Sequence, residues 1–371
     1  MTYRNKHVFI IPRKDVFFSL HVDSLINKVG VDPNSICAIF ISEDEDEVIV
    51  GYPGVEYINS QSVVITDLVE SSSITSFSLG IHNSSFVSSM FRGVPNIVEL
   101  FYIYITDDEL DRWDKVHSEF GKLKKTVKQG IDENVLYVLS KVNKFIAIKS
   151  IHHEVINKVI GREVYFFDVS CLFNILPSAQ HENVINSLEF EGDSKVKRVL
   201  FHSKGLTRGK EDVEKLLEAY SSFDKTFNGD VHFLVYIGNR RTRRWLSLRL
   251  FILSVINKKP LRIDVLNHTD KYTYMSQVMT CDFMILQPRG GASTARTLLK
   301  SGRGMVCVYS KSKNAKSLSE GFKVPVIEGD SYQEMADLAY NGMFDQRKAV
   351  EALSRAELDA VEKYREFYFQ R

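Results

Sequence analysis

Residues 285–308 read ILQPRGGASTARTLLKSGRGMVCV. The apolar run that stops at Gln287-Pro288 and the one that starts at Met305 are short, continuous and bounded by turn residues, the pattern of buried parallel strands. Between them, Pro288-Arg289-Gly290-Gly291-Ala292-Ser293-Thr294 leads into a helical stretch through Lys300, which breaks at Gly302 and Gly304. Strand, helix, strand in this order is a βαβ unit, and it sets the fold class as α/β with a parallel sheet. The loop also raises a chemical question. Glycines let backbone approach a ligand closely, and the first N–H groups of a helix favour an anion. Ser293 or Thr294 can cap the helix or donate to a phosphate oxygen, and Arg289 and Arg296 can add charge-assisted bonds. A plain strand-to-helix turn uses the same residue types, and neither GxxxxGK[ST] nor GxGxxG is present, so both readings stand open at this point.

The same alternation extends in both directions. RVLFHS (198–203), VHFLVYIG (231–238), RIDVLN (262–267) and VPVIEG (324–329) are expected strands. KEDVEKLLEAYSSF (210–223), RTRRWLSLRLFILSVIN (241–257), YTYMSQVMT (272–280), 331–341 and 347–367 are expected helices. Toward the N-terminus, HVFII (7–11), CAIFI (37–41), SVVIT (62–66), NIVELFYIYI (96–105) and KFIAI (144–148) read as strands, with helical spacing over 14–29 and 107–141. From 174 to 196 every periodicity dissolves among Pro, Ser, Asn and charges, as in an interdomain connection. A chain of 371 residues exceeds one hydrophobic core. We therefore expect domains over 1–180 and 195–346, with 347–371 a C-terminal helix.

A net charge of +1 removes any bulk electrostatic case for nucleic acid as a partner. The apolar core of the N-terminal stretch is too short for a signal peptide, and no run of about 18 apolar residues occurs, so a soluble cytoplasmic protein is expected. Cys37, Cys171, Cys281 and Cys307 are far apart and flanked by apolar residues, which suits buried free thiols better than zinc. No metal site is expected. SEDEDE (42–47) reads as a solvated acidic loop and His152-His153 as structural or surface residues.

Two further loops resemble 285–294 in chemistry. In FHSKGLTRGKED (201–212), a strand ends at His202-Ser203, and Lys204, Gly205 and Arg208 precede a helix. In YIGNRRTRR (236–244), Gly238-Asn239 follows a strand and four arginines open a helix. Several glycine and cation loops on one sheet edge favour an anion site. The arginine run suits a solvated helix face, and contact with an anionic membrane surface stays open beside it. In the first half, Gly80-Ile81-His82-Asn83 follows a Ser-rich strand and Thr106-Asp107-Asp108 follows 96–105. An imidazole or carboxylate at a strand's carboxyl end is where a general base would sit; a helix cap is the plain alternative.

This order of elements resembles the GT-B class of nucleotide-sugar glycosyltransferases, and YMSQVMTCDFMILQPRGGASTARTLLKSGRGMVCV looks like that class's donor-domain core. More narrowly, it is similar to the bacterial Fuc4NAc (4-acetamido-4,6-dideoxygalactose) transferase family of surface polysaccharide assembly. The points of match are Cys281-Asp282, Gly291, Thr294, Gly302, Gly205, Arg208, Gly238, His82 and Asp107. The resemblance implies two facing Rossmann-like domains, the first (1–180) for the acceptor and the second (195–346) for the donor, with helix 347–371 returning across the first. It implies transfer of a sugar from a nucleotide-diphosphate donor to a saccharide or lipid-linked acceptor, at the inner face of the membrane, without a resident cofactor. Ser203, Gly205, Arg208, Gly238, Asn239, Arg289, Gly290, Gly291, Ser293 and Thr294 would hold the donor, and Asp107 or His82 would act as base. Two departures bear on mechanism. Tyr102-Ile103-Tyr104-Ile105 stands where that family carries a His and a Gly, and the Glu-x7-Glu pattern of many retaining enzymes is absent from 285–308, which favours inversion. A pyruvyl or polyol-phosphate transferase of the same architecture, or an inactive glycosyltransferase-like binding partner, are the alternative readings.

Overall fold

Runs of β-branched and aromatic residues become the strands of two wholly parallel sheets. The computed structural model describes residues 3–12, 16–49, 51–106, 108–169, 183, 195–202, 209–258, 260–266, 271–288, 290–342 and 344–369. Its chain divides into two units, Met1–Phe173 with Leu358–Arg371, and Asn174–Glu357.

Among the described residues, the first unit holds seven strands: β1 (His7–Pro12), β2 (Ile36–Ile41), β3 (Glu56–Asn59), β4 (Ser73–Phe77), β5 (Phe101–Tyr104), β6 (Lys144–Ala147) and β7 (Tyr165–Asp168). Their order is β3-β2-β1-β4-β5-β6-β7, so the chain works outward from β1 and then returns to its other side at β4. Its helices are α1 (Val16–Ser24), α2 (Ile81–Gly93), α3 (Asp108–Phe120), α4 (Glu133–Lys141) and α5 (Lys149–Ile160). The second unit holds β8 (Lys197–His202), β9 (Val231–Tyr236), β10 (Ile263–Leu266), β11 (Phe283–Leu286), β12 (Met305–Tyr309) and β13 (Ile327–Gly329). Their order is β10-β9-β8-β11-β12-β13, with the reversal between β8 and β11. Its helices are α6 (Lys210–Thr226), α7 (Arg240–Asn257), α8 (Lys271–Met279), α9 (Ala292–Lys300) and α10 (Tyr332–Tyr340). A last helix, α11 (Gln346–Phe369), begins in the second unit and ends in the first.

Strand side chains alternate between faces, and the core obeys this. Val8 and Ile10 enter one apolar layer of the first unit, with Ile39 and Ile103, while Phe9 and Ile11 enter the other, with Phe40 and Phe77. Ala360, Val361, Tyr364, Phe367 and Tyr368 of α11 complete that second layer. Each of its aromatics contributes roughly 1.5–3 kcal/mol through burial. Arg365 adds a bond from Nε to the Val29 carbonyl at 3.1 Å. In the second unit, Lys300 and Glu357 pair α9 with the middle of α11.

Three expectations are corrected. Residues 62–66 are not a strand; Asn59 ends β3 by accepting the Gln61 N–H at 3.0 Å, and 3₁₀ turns follow at Ser60–Ser62 and Ile65–Glu70. Val64 and Val69 are exposed, so that apolar run is not a buried one. The first half of 96–105 is a 3₁₀ helix opened by Pro95, and only Phe101–Tyr104 is extended. The helical stretch 107–141 is two helices, α3 and α4, with left-handed Gly121 and Gly130 between them. Cys37, Cys281 and Cys307 are buried free thiols, each pushed up to about 12 mainly by burial. Cys171 lies outside the described residues.

Candidate functional site

Open α/β sheets bind ligands beyond the carboxyl ends of their strands, where strand order reverses. In the second unit this point lies between β8 and β11, whose last residues, His202 and Leu286, pair side by side. Gln287 and Pro288 follow β11, and Gly290 and Gly291 turn the chain into α9. Both glycines hold a φ of 82°. A Cβ on Gly291 would lie 2.4 Å from Nδ1 and 2.6 Å from Cε1 of His202, and 2.9 Å from Cδ2 of Leu286. Conformation and space therefore both demand glycine at 291.

Asn314 holds the loop from behind. Its Nδ2 donates to the carbonyls of Gln287 at 2.6 Å and Gly290 at 2.9 Å, and its backbone N–H to that of Pro288 at 3.4 Å. Asn314 sits in a short helical turn capped by Ser312, whose Oγ accepts the Ala315 N–H at 3.1 Å. With the carbonyls tied to one side, the opening of α9 remains. Its cap residue is Gly291, which has no side chain to accept the first-turn N–H groups, and the first helical bond runs from Ala295 N–H to Gly291 O at 2.9 Å. Uncapped amides at the positive end of a helix form a ready anion cradle.

The remaining donor-side residues divide by role. Ser293 is half-buried and accepts a bond from Arg296 Nη2 at 3.3 Å, while Arg296 also lies 4.7 Å over the Phe322 ring. Thr294 is buried; burial pushes the Tyr274 phenol beside it up to about 12, and the Thr294 side chain draws that pKa down against the burial. The Thr294 hydroxyl thus serves the interior. Gly238 is exposed beyond β9, and Asn239 caps α7 by accepting the Arg241 N–H at 2.8 Å. Arg243 Nη2 donates to the Ile237 carbonyl at 3.1 Å, fixing the turn before that cap. Since β9 pairs with β8, both loops lie on one carboxyl edge. Ser203, Gly205, Arg208 and Arg289 lie outside the described residues.

In the first unit the reversal falls between β1 and β4. Beyond β4, Ser78 takes a left-handed φ of 68°, a strained state for a residue with a side chain. It is held there by three bonds: its N–H to Tyr104 O at 3.1 Å, and its carbonyl accepting from Ser76 Oγ at 2.5 Å and Asn83 Nδ2 at 3.1 Å. Asn83 also accepts the Gly80 N–H at 3.0 Å, its side chain reaching back to the residue before the helix to start α2. His82 is therefore delivered in the first helical turn, its ring folded over Gly80 so closely that a Cβ there would meet Cε1 at 3.0 Å. Burial of part of the ring and, second, the charge of Arg112 hold its pKa below the usual histidine value. A neutral imidazole beside a strained strand end can accept a proton. Asp107 lies outside the described residues; next to it, Glu109 accepts the Thr106 N–H at 2.8 Å and its hydroxyl at 2.7 Å, which fixes the start of α3.

Sequence reasoning missed three residues here. His202 carried a signal, as a strand-terminal imidazole beside a glycine loop. Tyr274 and Asn314 carried none, because their partners are 20 or more positions away in the chain. Among the described residues, no cluster of three His, Cys, Asp or Glu side chains is placed to hold a metal ion. No described helix is long and apolar enough to cross a membrane.

No protein-family model matches the sequence, and no curated protein matches it. Solved structures match it along nearly its whole length. The α,α-trehalose-phosphate synthase (UDP-forming) of Burkholderia vietnamiensis is 11% identical, with 99% of each chain covered and a TM-score of 0.60. Anabaena HepE, solved in complex with UDP and glucose, is 13% identical, with 97% of this chain and 95% of that one covered and a TM-score of 0.58. A glycosyltransferase from Rickettsia africae is 12% identical, with 99% and 98% covered and a TM-score of 0.53. At these identities the likeness establishes the fold: two parallel-sheet, Rossmann-like units of the GT-B type, with the last helix returning to the first.

Proposed function

We propose that this chain is a glycosyltransferase that moves a sugar from a nucleotide-diphosphate donor to a saccharide acceptor, lipid-linked in the setting of bacterial surface polysaccharide assembly. The observation that carries the reading is the junction of His202 with Gly291, where a strand reversal, a side-chain-free helix cap and a loop tied back by Asn314 leave N–H groups for a diphosphate. Arg289, Ser203, Gly205 and Arg208 would add donors from the neighbouring loops, with Gly238 and Asn239 bordering them. Uridine nucleotides are the first to test, given the UDP bound to HepE and the UDP-forming synthase.

The chemistry follows from these parts. The acceptor oxygen bonds to the anomeric carbon as the bond from that carbon to the diphosphate oxygen breaks, and the nucleoside diphosphate departs. The acceptor's proton passes to His82 or Asp107. Attack from the face opposite the leaving group inverts the anomeric centre. Amides of α9 and the arginines take up charge on the leaving phosphate, a metal-independent arrangement.

Thermal melting with UDP, TDP and GDP tests the proposal. At a hundredfold excess over Kd, a ligand adds about 2.7 kcal/mol. For a domain of this size that raises Tm by roughly 5–10 °C. Indifference to all three nucleotides would sink the reading, and turnover of a nucleotide sugar that survives loss of both His82 and Asp107 would remove its base.

A further inference from the structure

Helix α7 is apolar on two sides. Its inner side, with Leu246 buried and Trp245, Leu250 and Leu253 packed beside it, belongs to the core of the second unit. Arg249 anchors it to α6 through Glu214 at 2.9 Å. The outer side should be polar in a helix bounded by water. Instead Leu248, Phe251, Ile252, Val255 and Ile256 are exposed, with Phe251 and Ile256 each at 67%. At 100° per residue, Leu248, Phe251, Ile252 and Val255 share one arc with Arg240, Arg241 and Arg244, and Ile256 borders it. Those three arginines are exposed in the same way, and α7 contains no acidic residue. Lys258 follows as its left-handed cap.

We infer that this outer face is a docking surface for an anionic lipid bilayer, with α7 lying in the plane of the headgroups. Its cationic first turns match acidic headgroups, and the large side chains of its last three turns match the acyl boundary below them. A second copy of the chain fits less well. Packed on this face, it would set the same arginines against apolar side chains or against each other, with no acid on the helix to offset them. Contiguous apolar surface of this kind is seldom left to water. Nothing in this docking depends on which reaction the second unit serves.

The test is co-sedimentation of the full chain with vesicles of phosphatidylcholine alone and with vesicles that also contain phosphatidylglycerol. Binding is expected to the anionic vesicles and to weaken with salt. Arg240→Gln, Arg241→Gln and Arg244→Gln should each weaken it about fivefold. Phe251→Ser with Val255→Ser should weaken it on the order of tenfold or more. These positions are exposed, so the variants should keep the wild-type melting temperature, which separates lost docking from lost folding. Failure to bind anionic vesicles at low salt overturns the inference, as does equal binding to both compositions. A concentration-dependent dimer in sedimentation velocity, abolished by Phe251→Ser with Val255→Ser, overturns it in favour of a second copy.

Discussion

A single methyl group at residue 291 should damage the second unit by two separable routes. The first is conformational: an alanine held at a φ of 82° costs about 1–2 kcal/mol in the left-handed region. The second is steric. Its Cβ would stand 2.4 Å from the His202 ring, and relieving that overlap costs about 1–3 kcal/mol in shifted side chains and backbone. Gly291→Ala should therefore lose roughly 2–5 kcal/mol, or about 4–20 °C in the melting of that unit. His202→Ala removes the obstructing ring. In the double variant the steric share should return, about 1–3 kcal/mol, while the conformational share and the Leu286 contact at 2.9 Å persist. Urea titration of the four proteins, followed by circular dichroism, reads the cycle directly. Calorimetric titration with the stabilising nucleoside diphosphate reads the second consequence, since a shifted loop presents its amides elsewhere. If Gly291→Ala melts within a degree of wild type, or if His202→Ala gives no rescue, the account of this junction is wrong.

Asn314→Ala should cost about 1–3 kcal/mol, because two loop carbonyls lose their side-chain donor, and should weaken nucleotide binding; an unchanged affinity would show the loop to be self-supporting. His82→Ala should lower kcat by about 10²–10⁴-fold with donor binding intact, as steady-state and binding assays on one preparation can show. Because burial and Arg112 lower the His82 pKa, its basic form persists on the acid side of the usual value, so the rate should hold through pH 6.5 and fall only below it. An acid limb centred above that value would assign the base elsewhere. His21 provides a stability test. Burial among aromatic rings lowers its pKa to about 3, so below about 6.5 only the unfolded chain takes the proton. Its share of stability is complete above that pH and declines on acidification by about 1.4 kcal/mol per unit until about pH 3. Unfolding free energies from urea titrations at pH 7 and 5 should differ less in His21→Phe than in wild type, by about 2 kcal/mol.

Strands built from unbroken apolar runs are the most legible in the amino-acid sequence, whereas the central strand of the first sheet, Ser73–Phe77, is buried throughout yet carries two serines and a threonine. His7–Pro12, Phe283–Leu286 and Met305–Tyr309 are buried on both faces, so they appear as unbroken apolar runs. Legibility fell where local chemistry overrode composition. SVVIT and NIVEL look extended because their side chains favour strands, while the Asn59 side chain turns the backbone just ahead of the first and Pro95 opens a 3₁₀ turn through the second. Helix α2 was overlooked for the converse reason: four serines in Ile81–Gly93 are weak helix formers, and the helix exists because Asn83 caps it and Val87, Met90 and Phe91 are buried. At the candidate site, the glycines were visible because their need is local. What makes Gly291 irreplaceable is a histidine some 90 positions earlier, and no spacing rule reports such a neighbour.

Helix α11 has a consequence for how the protein is made. The first unit is split in sequence: its sheet comes from residues before 173, yet Tyr364, Phe367 and Tyr368 of its apolar layer lie beyond residue 357. A ribosome adding about 5–20 residues per second spends on the order of ten to forty seconds on the intervening segment. During that interval His7, His21, Tyr102 and Phe167 wait without the rings of Tyr364, Phe367 and Tyr368 that will pack on them, while the second unit can already collapse around its own sheet. The first part to be translated is thus the last to be finished, and a nascent chain arrested before residue 358 would present an open aromatic face to whatever chaperone reaches it.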